Sequence, residues 1–190
     1  MGDISTNSHY FNTIVRFFSQ EAPHVFVQPN PVILHTLDIE AFETKRDPQP
    51  VRLTKTSVDF TQVKRSQTPA KGRELMLVQI FRDKIVQYGM KQQNITRLNQ
   101  HFVLLIVEGD DCFIFDPAEQ NDHAQQISRL VAGLMLHHNI YTLEHHPQRL
   151  VGDLYCMAYI CMIAAMVLIH PEMSLEHIVE ATFPGGTAES

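Results

Sequence analysis

Cys156 stands where a polar turn, Gly152-Asp153-Leu154-Tyr155, gives way to an uninterrupted apolar stretch. A sulfur at the start of a helix lies near N–H groups that no helical carbonyl satisfies. The partial positive charge there favours the thiolate, the reactive form. Upstream, His101 opens the apolar run Phe102-Val103-Leu104-Leu105-Ile106-Val107, and a second run, Cys112-Phe113-Ile114-Phe115, ends at Asp116-Pro117. Read as antiparallel strands joined by the tight turn Gly109-Asp110-Asp111, the two runs bring the start of one beside the end of the next. Asp116 is then placed to accept a hydrogen bond from the His101 ring N–H and to fix its tautomer. Gln148, in the loop before Cys156, offers an amide donor. The order His101, Asp116, Gln148, Cys156 supplies a base, an orienter, an oxyanion donor and a nucleophile, the set that thiol-mediated acyl transfer requires. Each residue alone has an ordinary role as strand opener, turn former or small core side chain; their order and placement carry the argument.

These segments resemble the adenovirus-protease and ubiquitin-like-specific-protease group of cysteine proteases. His101-Phe102-Val103-Leu104-Leu105 is similar to the group's histidine-bearing strand start. Cys112-Phe113-Ile114-Phe115-Asp116-Pro117 is similar to its strand ending in an acidic residue, and Gln148 to Cys156 to its glutamine-to-nucleophile loop, with Asp153 as the polar residue common there. The likeness covers roughly residues 101–170 and leaves residues 1–95 unassigned. Phe102 stands where the group usually has Trp, Met157 where it often has Gly, and the Gln148–Cys156 loop is a residue or two longer than usual. The resemblance implies a papain-like arrangement with the nucleophile opening a central helix. It also implies a thiol protease or isopeptidase that needs no cofactor and cuts after small, glycine-type residues in a viral polyprotein or a ubiquitin-like conjugate. It places the chain in the cytoplasm or nucleus of a host cell. Two other classes use the same residues. Effector acetyltransferases share the His, acid, Cys order but need coenzyme A and a basic pocket, and no dense basic cluster flanks these residues. A catalytically inactive interaction module on this fold is the third class.

The elements that must position these residues follow from periodicity and punctuation. Tyr10, Phe11, Ile14, Val15 and Phe18 fall at helical spacing, predicting a helix over about 8–20. Val25–Val27 and Val32–Leu34, parted by Pro29-Asn30-Pro31, read as short extended or hairpin pieces. Residues 44–72 read as an irregular segment with one strand near Val58–Val63. Leu75, Val78, Phe81 or Arg82, Ile85 and Tyr88 predict an amphipathic helix over Gly72–Gln87, followed by a polar turn at Gln92-Gln93-Asn94. Beyond the two strands at 101–108 and 112–115, the pattern gives a helix at 122–137, a strand at Ile140–Leu143, a loop at Pro147–Tyr155 and a helix at 156–169. Pro171 then ends that helix, and Ser174 caps a last one closing near Ala181. The expected class is α+β, a small mixed or antiparallel sheet flanked by helices in a single domain spanning residues 1–190.

Composition narrows the partners. The chain has 190 residues, 44% hydrophobic, with a net charge of −6, which suits a globular core and argues against broad nucleic-acid binding. The basic stretch Arg52, Lys55, Lys64, Arg65, Lys71 and Arg73 reads as a solvated loop. Three cysteines without a CxxC spacing favour a reducing compartment, with Cys112 and Cys161 as core residues. Met157–Ile169 is too short to span a bilayer, and Met1-Gly2-Asp3-Ile4-Ser5-Thr6 matches the N-myristoylation pattern only loosely. His137-His138 and His145-His146 lack the helical spacing of a metal site. Finally, Phe183-Pro184-Gly185-Gly186-Thr187 offers a small-residue site at which the chain could process itself after Gly186.

Overall fold

The computed structural model describes residues 4–20, 22–28, 31–42, 50–59, 72–88, 91–118, 121–147 and 156–184. The fold is α+β; the described residues form seven strands in one mixed sheet with helices on both of its faces. The strands are β1 (Val25–Val27), β2 (Val32–Phe42), β3 (Pro50–Asp59), β4 (Arg73–Tyr88), β5 (Lys91–Glu108), β6 (Asp111–Phe115) and β7 (Asn139–Thr142). The helices are α1 (Ile4–Ser19), α2 (Asn121–Leu134), α3 (Cys156–Ile169) and α4 (Leu175–Thr182). Strand order is β3-β2-β4-β5-β6-β7, and β1 joins the edge of β4 beside β2. Pairing is antiparallel for β2–β3, β4–β5 and β5–β6, and parallel for β1–β4, β2–β4 and β6–β7.

The largest correction to the sequence reading is β4. Leu75, Val78, Ile85 and Tyr88 do fit a helical template, yet Arg73–Tyr88 is a strand. Residues 73–81 are all buried, and they alternate between two cores. Leu75 and Leu77 join α1, α3 and α4 on one face. Met76, Val78 and Ile80 join Ile127 and Val131 of α2 and the adjacent Met135 on the other. A strand covered on both faces reads as a near-continuous apolar run, within which any three- and four-residue spacing can be found. The polar triplet Gln92-Gln93-Asn94 likewise lies inside β5, not in a turn, because β4 supplies backbone partners as far as Tyr88↔Lys91.

Val25–Val27 and Val32–Leu34 do not pair with each other. Both lie parallel to β4, β1 against Arg73–Leu75 and β2 from Val78 onward. The strand expected at Val58–Val63 runs instead over Pro50–Asp59, zipped antiparallel to β2, and residues 60–63 lie outside the described residues. Arg52 and Lys55 therefore sit in a strand, not a loop. Arg73 is buried, with its guanidinium bonded to the Glu108 carboxylate and the Met173 carbonyl. Gly72, just before it, has φ +139°, and a Cβ there would lie 2.2 Å from the His24 carbonyl oxygen. Only glycine allows that approach, which brings the Arg73 N–H onto the same oxygen at 2.9 Å.

The later elements follow their sequence signals closely. β5 and β6 form the hairpin expected from Gly109-Asp110, with Glu108 opposite Asp111 and Gly109 at φ +56°. α3 spans Cys156–Ile169, and the Ser174 hydroxyl caps α4 by accepting from the His177 N–H. α2 ends at Leu134, short of the expected 137. Among the described residues, no helix is long and apolar enough to cross a membrane.

Candidate functional site

The β5–β6 register builds one side of the site. Leu104 pairs with Phe115, so one step further the position of Asp116 faces Val103. His101, two residues from Val103 on the same strand, shares that face and is the diagonal neighbour, a separation that side chains of this length bridge. His101 Nε2 and Asp116 Oδ1 meet at 2.6 Å, both side chains buried. His101 does not open its strand as the sequence suggested; it lies well inside β5, in register with Ile80.

Asp116 is held at three points. Its Oδ1 also accepts from the Ala118 N–H at 3.0 Å, a local turn bond of the kind Asp makes two residues ahead. Its carbonyl oxygen accepts from His146 Nδ1 at 2.8 Å. A carboxylate and a carbonyl can only accept. His101 therefore carries a proton on Nε2, and a neutral His146 carries its proton on Nδ1.

Cys156 is the first residue of α3 and is 7% exposed, against 6% for His101 and 4% for Asp116. It is the second side-chain partner of the His101 ring. Asp116 occupies Nε2, and Nδ1 is the ring's other nitrogen. Burial works against charge on this ring, but Asp116 and Cys156, through hydrogen bonds and charge, outweigh it and push His101 up to about 9. Asp116 is the stronger of the two. At neutral pH the ring is thus a cation held between a carboxylate and a sulfur, shielded from water.

The structure brings together His101, Asp116 and Cys156. Gln148, Asp153 and the Pro147–Tyr155 loop beyond Pro147 lie outside the described residues, as do Gly185, Gly186 and Met1–Asp3. Met157, where the resembled group often has glycine, is buried in the core around α3. None of the three cysteines forms a disulfide. Cys112 is wholly buried, and burial pushes the Cys161 thiol up to about 12.

Sequence reasoning missed His146 as a neighbour of Asp116 and had weighed it only as a metal ligand. Its one signal is indirect, since it lies just past a short strand that pairs with β6. His145 binds Glu180 of α4 at 2.9 Å. Among the described residues no group of three or more His, Cys, Asp or Glu side chains is placed to hold a metal ion. Comparison of the chain with protein-family models, curated proteins and solved structures gave no match.

Proposed function

We propose that the chain is a cysteine hydrolase, a thiol protease or isopeptidase, with Cys156 as nucleophile, His101 as proton carrier and Asp116 as its orienter, in a papain-like arrangement. The observation that carries this reading is the buried His101–Asp116 pair, Nε2 to Oδ1 at 2.6 Å, with Cys156, the other group acting on the same ring, at the first residue of α3; Nδ1 is the nitrogen assigned to the sulfur. A buried imidazole set between a carboxylate and a cysteine is the kind of arrangement by which a sulfur is activated.

The chemistry follows from the proton inventory. In the reactive state His101 holds the proton and Cys156 attacks as the thiolate, Sγ bonding to the carbonyl carbon of the scissile amide. The C–N bond breaks as His101 Nδ1 gives its proton to the leaving nitrogen, leaving a thioester and a neutral ring. Water then attacks the thioester while Nδ1 takes up its proton, and Sγ departs as the carboxylic acid leaves. Asp116 keeps Nε2 protonated throughout, so Nδ1 is always the nitrogen that exchanges protons. Gln148 and the N–H of Cys156 are the proposed oxyanion donors.

The buried nucleophile suits a slim substrate backbone. We assign the substrate to peptide or isopeptide bonds following glycine-type residues, in a polyprotein or a ubiquitin-like conjugate within a reducing compartment. The test is a peptide ending in Gly-Gly-vinyl sulfone incubated with the folded protein. An adduct on Cys156 that is lost in Cys156→Ala and strongly slowed in His101→Ala is expected. Folded protein that forms no adduct, or forms it equally in His101→Ala, overturns the reading.

A further inference from the structure

We propose that His146 is a positioning residue for this site, its imidazole serving as an added rung of the sheet that holds Asp116 in place. The inference rests on the assignment of His101, Asp116 and Cys156 just given.

The β6–β7 ladder runs out at the point where Asp116 is needed. β6 ends at Phe115 and β7 at Thr142, whose partner is Ile114. The last backbone bond across this pair runs from the Leu143 N–H to the Ile114 carbonyl at 2.9 Å. In a parallel ladder the next acceptor on β6 is the Asp116 carbonyl, two residues on. Among the described residues, no backbone N–H after β7 bonds that carbonyl. Instead the half-buried His146 donates Nδ1–H to that carbonyl at 2.8 Å. Pro117 follows Asp116 and has no N–H with which to continue the strand.

Two further anchors fix the segment that carries His146. Leu143 is tied to β6 as above, and His145 Nε2 meets Glu180 Oε2 on α4 at 2.9 Å. Consecutive histidines thus face different ways, one to the last helix and one to the backbone of Asp116. With the Ala118 N–H on Oδ1 and His146 on the carbonyl, Asp116 is held through side chain and main chain together. That leaves Oδ1 a fixed aim at His101 Nε2. Because Nδ1 of His146 donates in both the neutral and the charged ring, the clamp survives protonation of His146. Among the described residues, Asp116 and Cys156 are the titratable groups acting on His101.

The test separates hydrogen bond from bulk. His146→Phe keeps a ring and loses the donor, whereas His146→Asn loses the ring and keeps an N–H near the place of Nδ1. NMR titration of the His101 ring proton reads the aim of Asp116 directly, whether or not a substrate is known. The expected result is a His101 midpoint lowered by about one pH unit in His146→Phe, a tenfold loss of proton affinity, with most of it restored in His146→Asn. The rate of Cys156 labelling by the Gly-Gly vinyl sulfone should fall in parallel, and its upper pH limb should move down with the midpoint. In an Asp116→Asn background, His146→Phe should add little. A His101 midpoint unchanged in His146→Phe overturns the inference, even if the variant is less stable. If the midpoint moves but the wild type forms no adduct, the clamp stands and the hydrolase reading falls.

Discussion

Replacing Asp116 by Asn removes a charge while leaving an oxygen in place. Asp116 Oδ1 accepts hydrogen bonds from both His101 Nε2–H, N to O 2.6 Å, and the Ala118 N–H, N to O 3.0 Å. Two donors pointing at one atom select the amide oxygen of Asn for that position. The ring should therefore keep its orientation and tautomer, and lose only the charge that supports the imidazolium. In the wild type, burial opposes the cation, but Asp116 and Cys156 raise His101 from 6.5 to about 9. A rise of that size is worth roughly 3 kcal/mol. The folded ring binds its proton more tightly than the unfolded one. This stabilisation is therefore fully present below pH 6.5 and is lost as the pH rises through about 9. In Asp116→Asn, burial, already the largest single influence on the ring, is opposed chiefly by Cys156 alone, and the folded midpoint falls towards or below the ordinary histidine value. Urea unfolding of both proteins at half-unit steps from about pH 6 to 9.5 reads the difference. The variant should be less stable by about 3 kcal/mol at the acid end, as expected for a buried pair losing one charge, and the gap should close to under about 1 kcal/mol at the alkaline end. A gap that stays constant across that window refutes the claim that Asp116 holds the proton on His101.

Three other outcomes check separate parts of the structure. Iodoacetamide at neutral pH, followed by peptide mapping, should modify Cys156 ahead of Cys112, which is wholly buried, and Cys161, whose thiol burial pushes up to about 12; preferential labelling of either of the latter contradicts the site. Gly72→Ala should destabilise the fold by about 2 kcal/mol or more in chemical denaturation, because its φ of +139° is foreign to alanine and the new Cβ would meet the His24 carbonyl oxygen at 2.2 Å. Ser174→Ala should cost about 1 kcal/mol through loss of the hydroxyl that accepts from His177 N–H at 3.3 Å, while leaving Cys156 labelling unchanged.

The parts of the fold that were legible in the sequence are those whose signals are local. Gly109-Asp110 announces a hairpin because a left-handed glycine and a two-residue turn fix the strands on either side, and the diagonal between His101 and Asp116 follows from that register alone. Ser174 before Leu175 announces α4 because the cap is made within one turn. β4 was illegible because its burial is set by partners far along the chain. Its residues alternate between α1, α3 and α4 on one face and α2 on the other, and a strand apolar on both faces loses the period-two pattern that marks a half-exposed one. Arg73 was misread for the same reason, since its carboxylate and carbonyl partners lie at Glu108 and Met173, both distant in sequence.

The candidate site divides along the same line. The hairpin fixes which histidine meets which carboxylate, whereas the aim of that carboxylate depends on a parallel strand that reaches β6 only through α2. The parallel pairing of β6 with β7 places the chain after Thr142 alongside Asp116, and no pattern around Asp116 records that neighbour. A short edge strand that ends one rung early leaves an acceptor without its ladder bond, and an imidazole from the following segment fills the vacancy at 2.8 Å. The site thus rests on two kinds of support, a hairpin written in adjacent residues and a clamp that exists only once the sheet has closed around it. Loss of the hairpin turn should disrupt folding of the sheet. Loss of the clamp should leave the sheet standing, loosen the hold of His101 on its proton and slow Cys156 labelling with it.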